Sequence, residues 1–189
     1  RCASLLGGSV KMVGHAQHQG DTATLSVRPT VVRAGHPLHG IDDSENAVLG
    51  TSNLAGHVAI SGLGAGGDST ASAVVSDIVA TAADPHREPP LPTAAITVGD
   101  HGAVERGGYV RVRLQPVAEA AQLVLQALED RGITVEASTL VAAAGDGSQQ
   151  LALVTGVAPR ATLERACETL DSLATVDEVA AVLDSVGPA

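Results

Sequence analysis

Aromatic side chains are almost absent from this chain of 189 residues, in which Tyr109 is the one tyrosine and neither phenylalanine nor tryptophan occurs. Apolar residues still make up 44% of the sequence, so a core can form, but its stability must come from close packing of small aliphatic side chains. The formal net charge is -10. Because nucleic-acid binding needs basic patches and aromatic stacking platforms, this composition excludes nucleic acid as an expected partner.

Cysteine and long apolar runs are also scarce. Cys2 and Cys167 are too few for a disulfide framework, which fits a reducing compartment and leads us to expect a cytoplasmic protein. No apolar run approaches the length of a membrane span, and no charged segment followed by an apolar one opens the chain. The first residue is arginine rather than methionine, which suggests a fragment, a processed chain or a trimmed one.

Glycine, in contrast, is concentrated in the stretch from Gly62 to Gly67, where four of six residues are glycine. Such a loop lets the backbone approach a ligand closely, and it leads into a helix predicted from Thr70, as the N-cap, to Ala83. The loop fits the pattern G-x-G-x-x-G, but a dinucleotide-binding domain needs another strand after the helix. Residues 84–90 hold three prolines there, so we reject an autonomous nucleotide-binding domain.

The remaining pattern predicts an α+β chain in two halves. The first half reads as two strand pairs followed by the helix, and the proline-rich segment 84–92 reads as an extended linker that continues to Gly107–Gly108. The second half alternates as strand, helix, strand, strand, helix, strand, which is the ferredoxin-like order. The predicted strands are 9–17, 22–28, 46–51, 56–61, 109–114, 133–142, 150–157 and 176–183, and the predicted helices are 70–83, 117–131 and 159–173.

Local signals support the second half. Gly132 is expected to end its first helix, Pro159 to begin its second, and Gly145-Asp146-Gly147 to turn the central hairpin. Two sets of apolar positions each fall on one face of a helix. These sets are Ala121, Leu125 and Leu128 in the first helix, and Leu163, Ala166 and Leu170 in the second.

The block from Gly62 to Asp77 resembles the end of the catalytic part of homoserine dehydrogenases, which carry G-x-G-A-G-G-x-x-T-A-S-A-V-V-x-D. Upstream, His36-Pro37-Leu38 and Asn46-Ala47-Val48 resemble the H-P-L and N-A-V elements of that family, and Gly8 to Val13 resembles the strand after its catalytic segment. The resemblance implies that residues 1–83 are a partial mixed-sheet catalytic and dimerisation domain, followed by a linker at 84–107.

Residues 108–186 resemble an ACT domain, a small ferredoxin-like βαββαβ regulatory fold that is fused to many homoserine dehydrogenases. Tyr109–Val112 is similar to its first strand, and Gly132–Glu136 is similar to its G-I-x-I-E signature. Where family members often have D-R-P-G, this chain has Pro116-Val117-Ala118-Glu119. Glu119 adds bulk and negative charge where an effector amino acid would dock, so a purely dimerising ACT domain and an effector-binding one both stay open.

The family implies an NAD(P)-dependent oxidoreductase that interconverts L-homoserine and L-aspartate 4-semialdehyde in threonine and methionine biosynthesis, acting as a homo-oligomer, most simply a dimer. The Rossmann domain and the catalytic lysine of the family would precede Arg1. We therefore assign no catalytic residue, and we expect this chain alone to hold no cofactor and to be inactive. By position, Gly64 and Gly66 would approach the nicotinamide end of the cofactor; the alternative is that they only form a tight strand-to-helix turn.

Other candidate residues receive ordinary interpretations. Lys11, the single lysine, reads as a strand residue, and Cys167 reads as a small buried hydrophobe. The seven histidines lack the spacing of metal ligands, so no metal site is expected.

A rival from another class is a non-catalytic regulatory or dimerisation protein, in which the first half supports the ACT domain. The helix at 70–83 is apolar nearly all round and should expose apolar surface in the isolated chain.

Overall fold

The computed structural model describes residues 1–84, 95–142 and 148–188. Its helices are α1 (Cys2–Leu5), α2 (Gly67–Ala83), α3 (Ala120–Glu129) and α4 (Arg160–Asp171), with a 3₁₀ turn at His101–Ala103. Its strands are β1 (Gly8–Gln19), β2 (Thr22–Arg33), β3 (Glu45–Ser52), β4 (Gly56–Leu63), β5 (Thr97–Val98), β6 (Glu105–Leu114), β7 (Val135–Ala142), β8 (Gln149–Thr155), β9 (Ala158–Pro159) and β10 (Val176–Val186).

These elements form two compact units. The first unit combines Arg1–His36 with Ile96–Ala189, and the second is Pro37–Ala95. This grouping cuts across the module boundaries that the sequence suggested, because β1 and β2 join the sheet of the C-terminal half. The expected linker residues 85–94 and the expected turn at 145–147 lie outside the described residues.

The first unit is built on a curled mixed sheet in the order β1-β2-β10-β6-β8-β7. The pairing of β10 with β2 is parallel, whereas β1 with β2, β10 with β6, β6 with β8 and β8 with β7 are antiparallel. The short strands β5 and β9 pair with β2 and β6. The element order from β6 to β10 thus contains the predicted alternation of strands and helices.

The main core lies between this sheet and the helices α3 and α4. Alternate residues of β6 and β8 enter it, as the twofold side-chain period of a strand requires. From the helices, the predicted positions Leu163, Ala166 and Leu170 are buried, as is Cys167. The buried members from the strands and α3 are Val110, Val112, Leu114, Leu151, Leu153, Ala120, Val124 and Leu128.

The other face of the same strands carries a smaller core. Tyr109, the single aromatic residue, packs there with Val31 of β2 and with Cys2 and Ala3 of α1. Ala152 and Val154 of β8 complete the cluster. The two faces together explain how a chain without phenylalanine or tryptophan is stabilised, because many small apolar side chains are almost fully buried.

Helix α3 ends as its sequence predicts. Gly132 has a φ of +73°, and its N–H donates to the carbonyl of Glu129 over 2.8 Å. The Ile133 N–H donates to the carbonyl of Leu128 over 3.0 Å. This pair of hydrogen bonds is the Schellman arrangement, with the glycine in the left-handed conformation that it adopts without steric cost. Helix α4 begins at Arg160, and Pro159 precedes it as the N-cap residue.

Two sequence-based boundaries are wrong. β2 does not stop before Pro29; it continues to Arg33, because Thr30, Val31 and Val32 pair with β10 and are buried. Gly107–Gly108 is not the end of a loose linker but part of β6. A Cβ atom on Gly107 would lie 2.9 Å from the Ser185 carbonyl oxygen and 3.2 Å from that of Thr155, so close backbone packing explains this glycine.

Residues 37–84, the larger described part of the second unit, form no core of their own. β3 and β4 form an antiparallel hairpin with Val48 opposite Ile60, and α2 follows it. Gly56, with a φ of +66°, closes the hairpin turn and pairs with Ser52. No residue from 37 to 84 is buried. A segment of this size cannot hold a stable fold without buried apolar surface, so its apolar side chains need a covering partner.

Candidate functional site

The glycine loop connects β4, which ends at Leu63, to α2, which begins at Gly67. The N-cap residue of α2 is therefore Gly66 rather than the expected Thr70. The Thr70 N–H lies one turn inside the helix and donates to the Gly66 carbonyl over 3.0 Å. The prediction failed because threonine is a common N-cap, whereas here the preceding glycine makes the turn into the helix and no side chain caps it.

Gly66 has a backbone conformation that other residues avoid, with φ of +127° and ψ of 151°. An L-residue with a side chain would be strained there by about 1–3 kcal/mol. The Ser69 hydroxyl donates to the Gly66 carbonyl over 3.1 Å and closes the first turn. The chain therefore turns into α2 at a residue that carries no side chain.

A side chain at position 64 is excluded for a different reason, because a neighbouring side chain already occupies the space that it would need. A Cβ atom on Gly64 would overlap the carboxamide of Asn46. The Gly64 N–H also donates to the Ser44 carbonyl over 2.7 Å, which extends the β3–β4 ladder beyond Leu63. The structure thus brings together two motifs that are separate in the sequence, the glycine loop and Asn46-Ala47-Val48.

Asn46 is the residue that sequence reasoning missed at this site. The signal was available in the hairpin pattern, because Asn46 pairs with Gly62 and therefore lies beside the start of the glycine loop. The segment that leads to Asn46 is also unusual, since Asp43 has a φ of +53° without being glycine.

The electrostatics around the loop disfavour a phosphate group. Residues 37–84 contain six acidic residues and neither lysine nor arginine. Asp68 lies in the first turn of α2, and Asp43 and Glu45 lie near Ser44, the partner of Gly64. A helix N-terminus alone attracts anions, but acidic neighbours without a cation oppose this attraction. Because the charged residues around the loop are acidic, the loop favours a neutral or positively charged group over an anion.

The other sequence candidates lie elsewhere. Lys11 is in β1, opposite Thr30 of β2, in the first compact unit. Cys167 is in the main core, and burial raises its pKa to about 11. Within residues 1–84, 95–142 and 148–188, no three His, Cys, Asp or Glu side chains are grouped as metal ligands. None of the described helices combines the length and apolar character needed to cross a bilayer.

Comparisons with known proteins show that the glycine loop lies in a region shared with one enzyme family. Residues 1–79 match the family model for homoserine dehydrogenase. The Corynebacterium glutamicum homoserine dehydrogenase is 30% identical over 165 residues, which cover 83% of this chain and 36% of that enzyme. The Bacillus subtilis enzyme is 40% identical over 75 residues, which cover 40% of this chain and 17% of the relative.

The crystal structure of a homoserine dehydrogenase from Thiobacillus denitrificans superposes with a TM-score of 0.80 at 25% identity, and the match covers 99% of this chain. The chain is related to homoserine dehydrogenases. It spans only part of such an enzyme, since the match covers 44% of the Thiobacillus denitrificans chain. The homoserine dehydrogenase match includes the whole glycine loop, within residues 1–79.

Proposed function

We propose that this chain is the C-terminal portion of a homoserine dehydrogenase, an NAD(P)-dependent enzyme that interconverts L-homoserine and L-aspartate 4-semialdehyde. The observation that carries the proposal is the glycine loop, whose two constrained glycines both lie in the part of the chain that matches the family model. The domains 1–83 and 108–186, joined by residues 84–107, the cytoplasmic location and the place in threonine and methionine biosynthesis belong to the same proposal.

The exposed apolar surface of the second unit supports this assignment. In α2, Val74, Val75, Ile78 and Val79 are each more than half exposed. On one face of the hairpin, Val48 and Ile60 are 70% and 68% exposed. Surface of this kind marks an interface with another protein segment. In the proposal, the partner is the nucleotide-binding and lysine-bearing part of the same enzyme together with a second subunit.

The loop itself would contact the nicotinamide end of the cofactor. Gly64 and Gly66 offer backbone without side chains, so a flat ring can approach closely. The acidic surroundings of the loop favour the positively charged nicotinamide ring of the oxidised cofactor over its phosphates. The cofactor would supply the hydride acceptor, and this chain would position it and exclude water from one side. The proton-transfer groups would belong to the rest of the enzyme.

The C-terminal half would serve as an ACT domain. The strands β10, β6, β8 and β7 and the helices α3 and α4 have the order expected for one. Glu119, the residue before α3, is exposed and places a carboxylate where the family usually has glycine. We propose a dimerising role for this half. Calorimetry on the whole protein should give no heat of threonine binding above dilution, and a binding isotherm would restore the effector role.

The experiment that tests the enzymatic assignment begins with the coding region. We expect the frame to continue upstream of Arg1 and to encode a strand, glycine loop and helix. The protein expressed from the complete frame should oxidise L-homoserine with NAD⁺ or NADP⁺, followed at the absorbance of the reduced cofactor. A start site at the beginning of this segment, with no turnover by the purified product, would instead favour the non-catalytic regulatory or dimerisation protein.

A further inference from the structure

A cavity of about 360 Å³ lies within the first compact unit. Its wall includes His15 of β1 and Arg106 of β6. The register places the Arg106 side chain on the same face of the sheet as Asp184, because Asp184 pairs with Gly108, two residues after Arg106. The volume falls in the range of sites for small metabolites, which is about 300–1,000 Å³.

This cavity is distinct from the effector position considered above. Arg106 lies at the start of β6, whereas Glu119 follows the opposite end of that strand. The cavity also does not depend on the proposed dehydrogenase function, because all its wall residues belong to the first unit.

The wall of the cavity contains a hydrogen-bond donor that has no partner. Within the described part of the chain, the Nε of Arg106 is buried and unpaired. Both ring nitrogens of His101, which lies within electrostatic range of His15, are also buried and unpaired among the described residues. Buried polar groups in proteins nearly always have a partner, so these groups leave hydrogen bonds for a ligand or for water.

Titratable groups of both signs lie around the cavity, with Arg106 as the cation in its wall. His15 from β1, His101 from the 3₁₀ turn and Arg106 from β6 lie within electrostatic range of one another, and the buried carboxylate nearby is Asp184 of β10. Asp184 already forms a buried ion pair with Arg160 of α4. The remaining wall groups that titrate are His36, which is half-buried, and Glu105, which is exposed.

We propose that this cavity binds a small oxyanion, the carboxylate or phosphate group of a metabolite, on Arg106 and His15. The guanidinium supplies the charge and a planar pair of donors. The imidazole donates an N–H from β1. Burial and the charge of Arg106 lower the pKa of His15 in the empty cavity, so a bound anion would reverse part of that effect and raise this pKa.

The test is an NMR titration of the histidine ring signals with inorganic phosphate and, separately, with acetate, at constant ionic strength maintained with chloride. We expect the His15 ring signals to shift and saturate at millimolar concentrations of at least one anion, with an increase in the pKa of His15. The anion that saturates at the lower concentration identifies the group as phosphate or carboxylate. A linear drift without saturation for both anions would overturn the proposal.

Two variants distinguish specific binding in the cavity from non-specific attraction of anions to positive charge. Arg106→Gln should lower the affinity for the anion by about tenfold or more, because the substitution removes a charged donor from a partly buried site. The control is Arg113→Gln, on the same strand, since Arg113 is exposed and pairs with Glu178 over 3.0 Å. It should leave the affinity unchanged. If Arg106→Gln does not fold, Arg106→Lys, which keeps the charge but loses the planar pair of donors, provides the same comparison, and wild-type affinity in the folded variant would contradict the assignment.

Discussion

At the scale of single residues, two glycines of the loop are constrained by different causes. Gly64 lacks a side chain because the carboxamide of Asn46 occupies that space, whereas Gly66 lacks one because of its φ of +127°. The two causes respond differently to a second substitution, since removing the Asn46 carboxamide opens space but changes no backbone angle.

This difference gives a double-mutant prediction. Gly64→Ala should destabilise the β3–β4 hairpin by about 1 kcal/mol, and Asn46→Ala should restore most of that loss. Gly66→Ala should cost about 1–3 kcal/mol in either background. Amide hydrogen exchange of the β3 and β4 residues measures the effect. If Gly64→Ala destabilised the hairpin equally with Asn46 and with alanine at position 46, overlap with the carboxamide would not be the cause of the destabilisation.

A second residue-scale prediction concerns pH. Burial raises the pKa of Cys167 to about 11 from 9.0, so the folded state keeps the thiol protonated where the unfolded chain ionises it. The resulting stability is complete below about pH 9 and is lost as the pH rises to about 11, by roughly 3 kcal/mol. Urea unfolding followed by circular dichroism should show this decline, and Cys167→Ala should decline less. The raised pKa of Tyr109 contributes equally in both proteins. Identical slopes would contradict the account.

At the scale of elements, α4 is joined to β10 by an ion pair. The Arg160 guanidinium contacts the buried carboxylate of Asp184 and, over 2.7 Å, the half-exposed carboxylate of Glu164. Loss of a buried partner leaves an uncompensated charge in the interior, whereas an exposed pair contributes little.

Substitution of the two acidic partners should therefore have unequal effects. Asp184→Ala should lower the free energy of unfolding by about 3 kcal/mol, and Glu164→Ala by less than about 1 kcal/mol. Chemical denaturation of both variants under one buffer condition measures the difference. Similar losses for the two substitutions would mean that burial does not determine the strength of this interaction.

The elements also show which parts of the fold the sequence could predict. The hairpins, α3 with Gly132 at its end, and the apolar face of α4 follow from local patterns, and all were predicted at nearly correct positions. The parallel pairing of β2 with β10 joins residues about 150 positions apart, and no local pattern indicates it. Gly107 was read as flexible, although its glycine is needed for close packing between backbones.

The candidate site was predictable only in part. The pattern around Gly64 and Gly66 is visible in the sequence, but the contact with Asn46 depends on strand register, and the correct start of α2 depends on a backbone angle. The Arg106 cavity has no sequence signature, because its wall is assembled from strands that are distant along the chain.

At the scale of the whole molecule, the apolar surface of α2 determines behaviour in solution. Ile78 and Val79 are 62% and 61% exposed, so we expect the isolated chain to bind a hydrophobic dye and to self-associate. Ile78→Ser with Val79→Ser should reduce both signals. Val117→Ser, at a site that is 50% exposed in the first unit, should reduce neither. Dye fluorescence and light scattering measure the outcome, and a dye-silent monomer would contradict the expectation.

The central claim is that the loop through Gly66 faces the nicotinamide end of the cofactor in the complete enzyme. The most direct measurement is the KM for the cofactor in the protein expressed from the whole reading frame, with Gly66→Ala compared with Gly14→Ala. Gly14 lies in β1 of the first unit, and a Cβ atom added there would meet its nearest neighbour at 4.0 Å. The account predicts an increase of about tenfold or more for Gly66→Ala and no change for Gly14→Ala. An unchanged KM in an active, folded Gly66→Ala enzyme would contradict it.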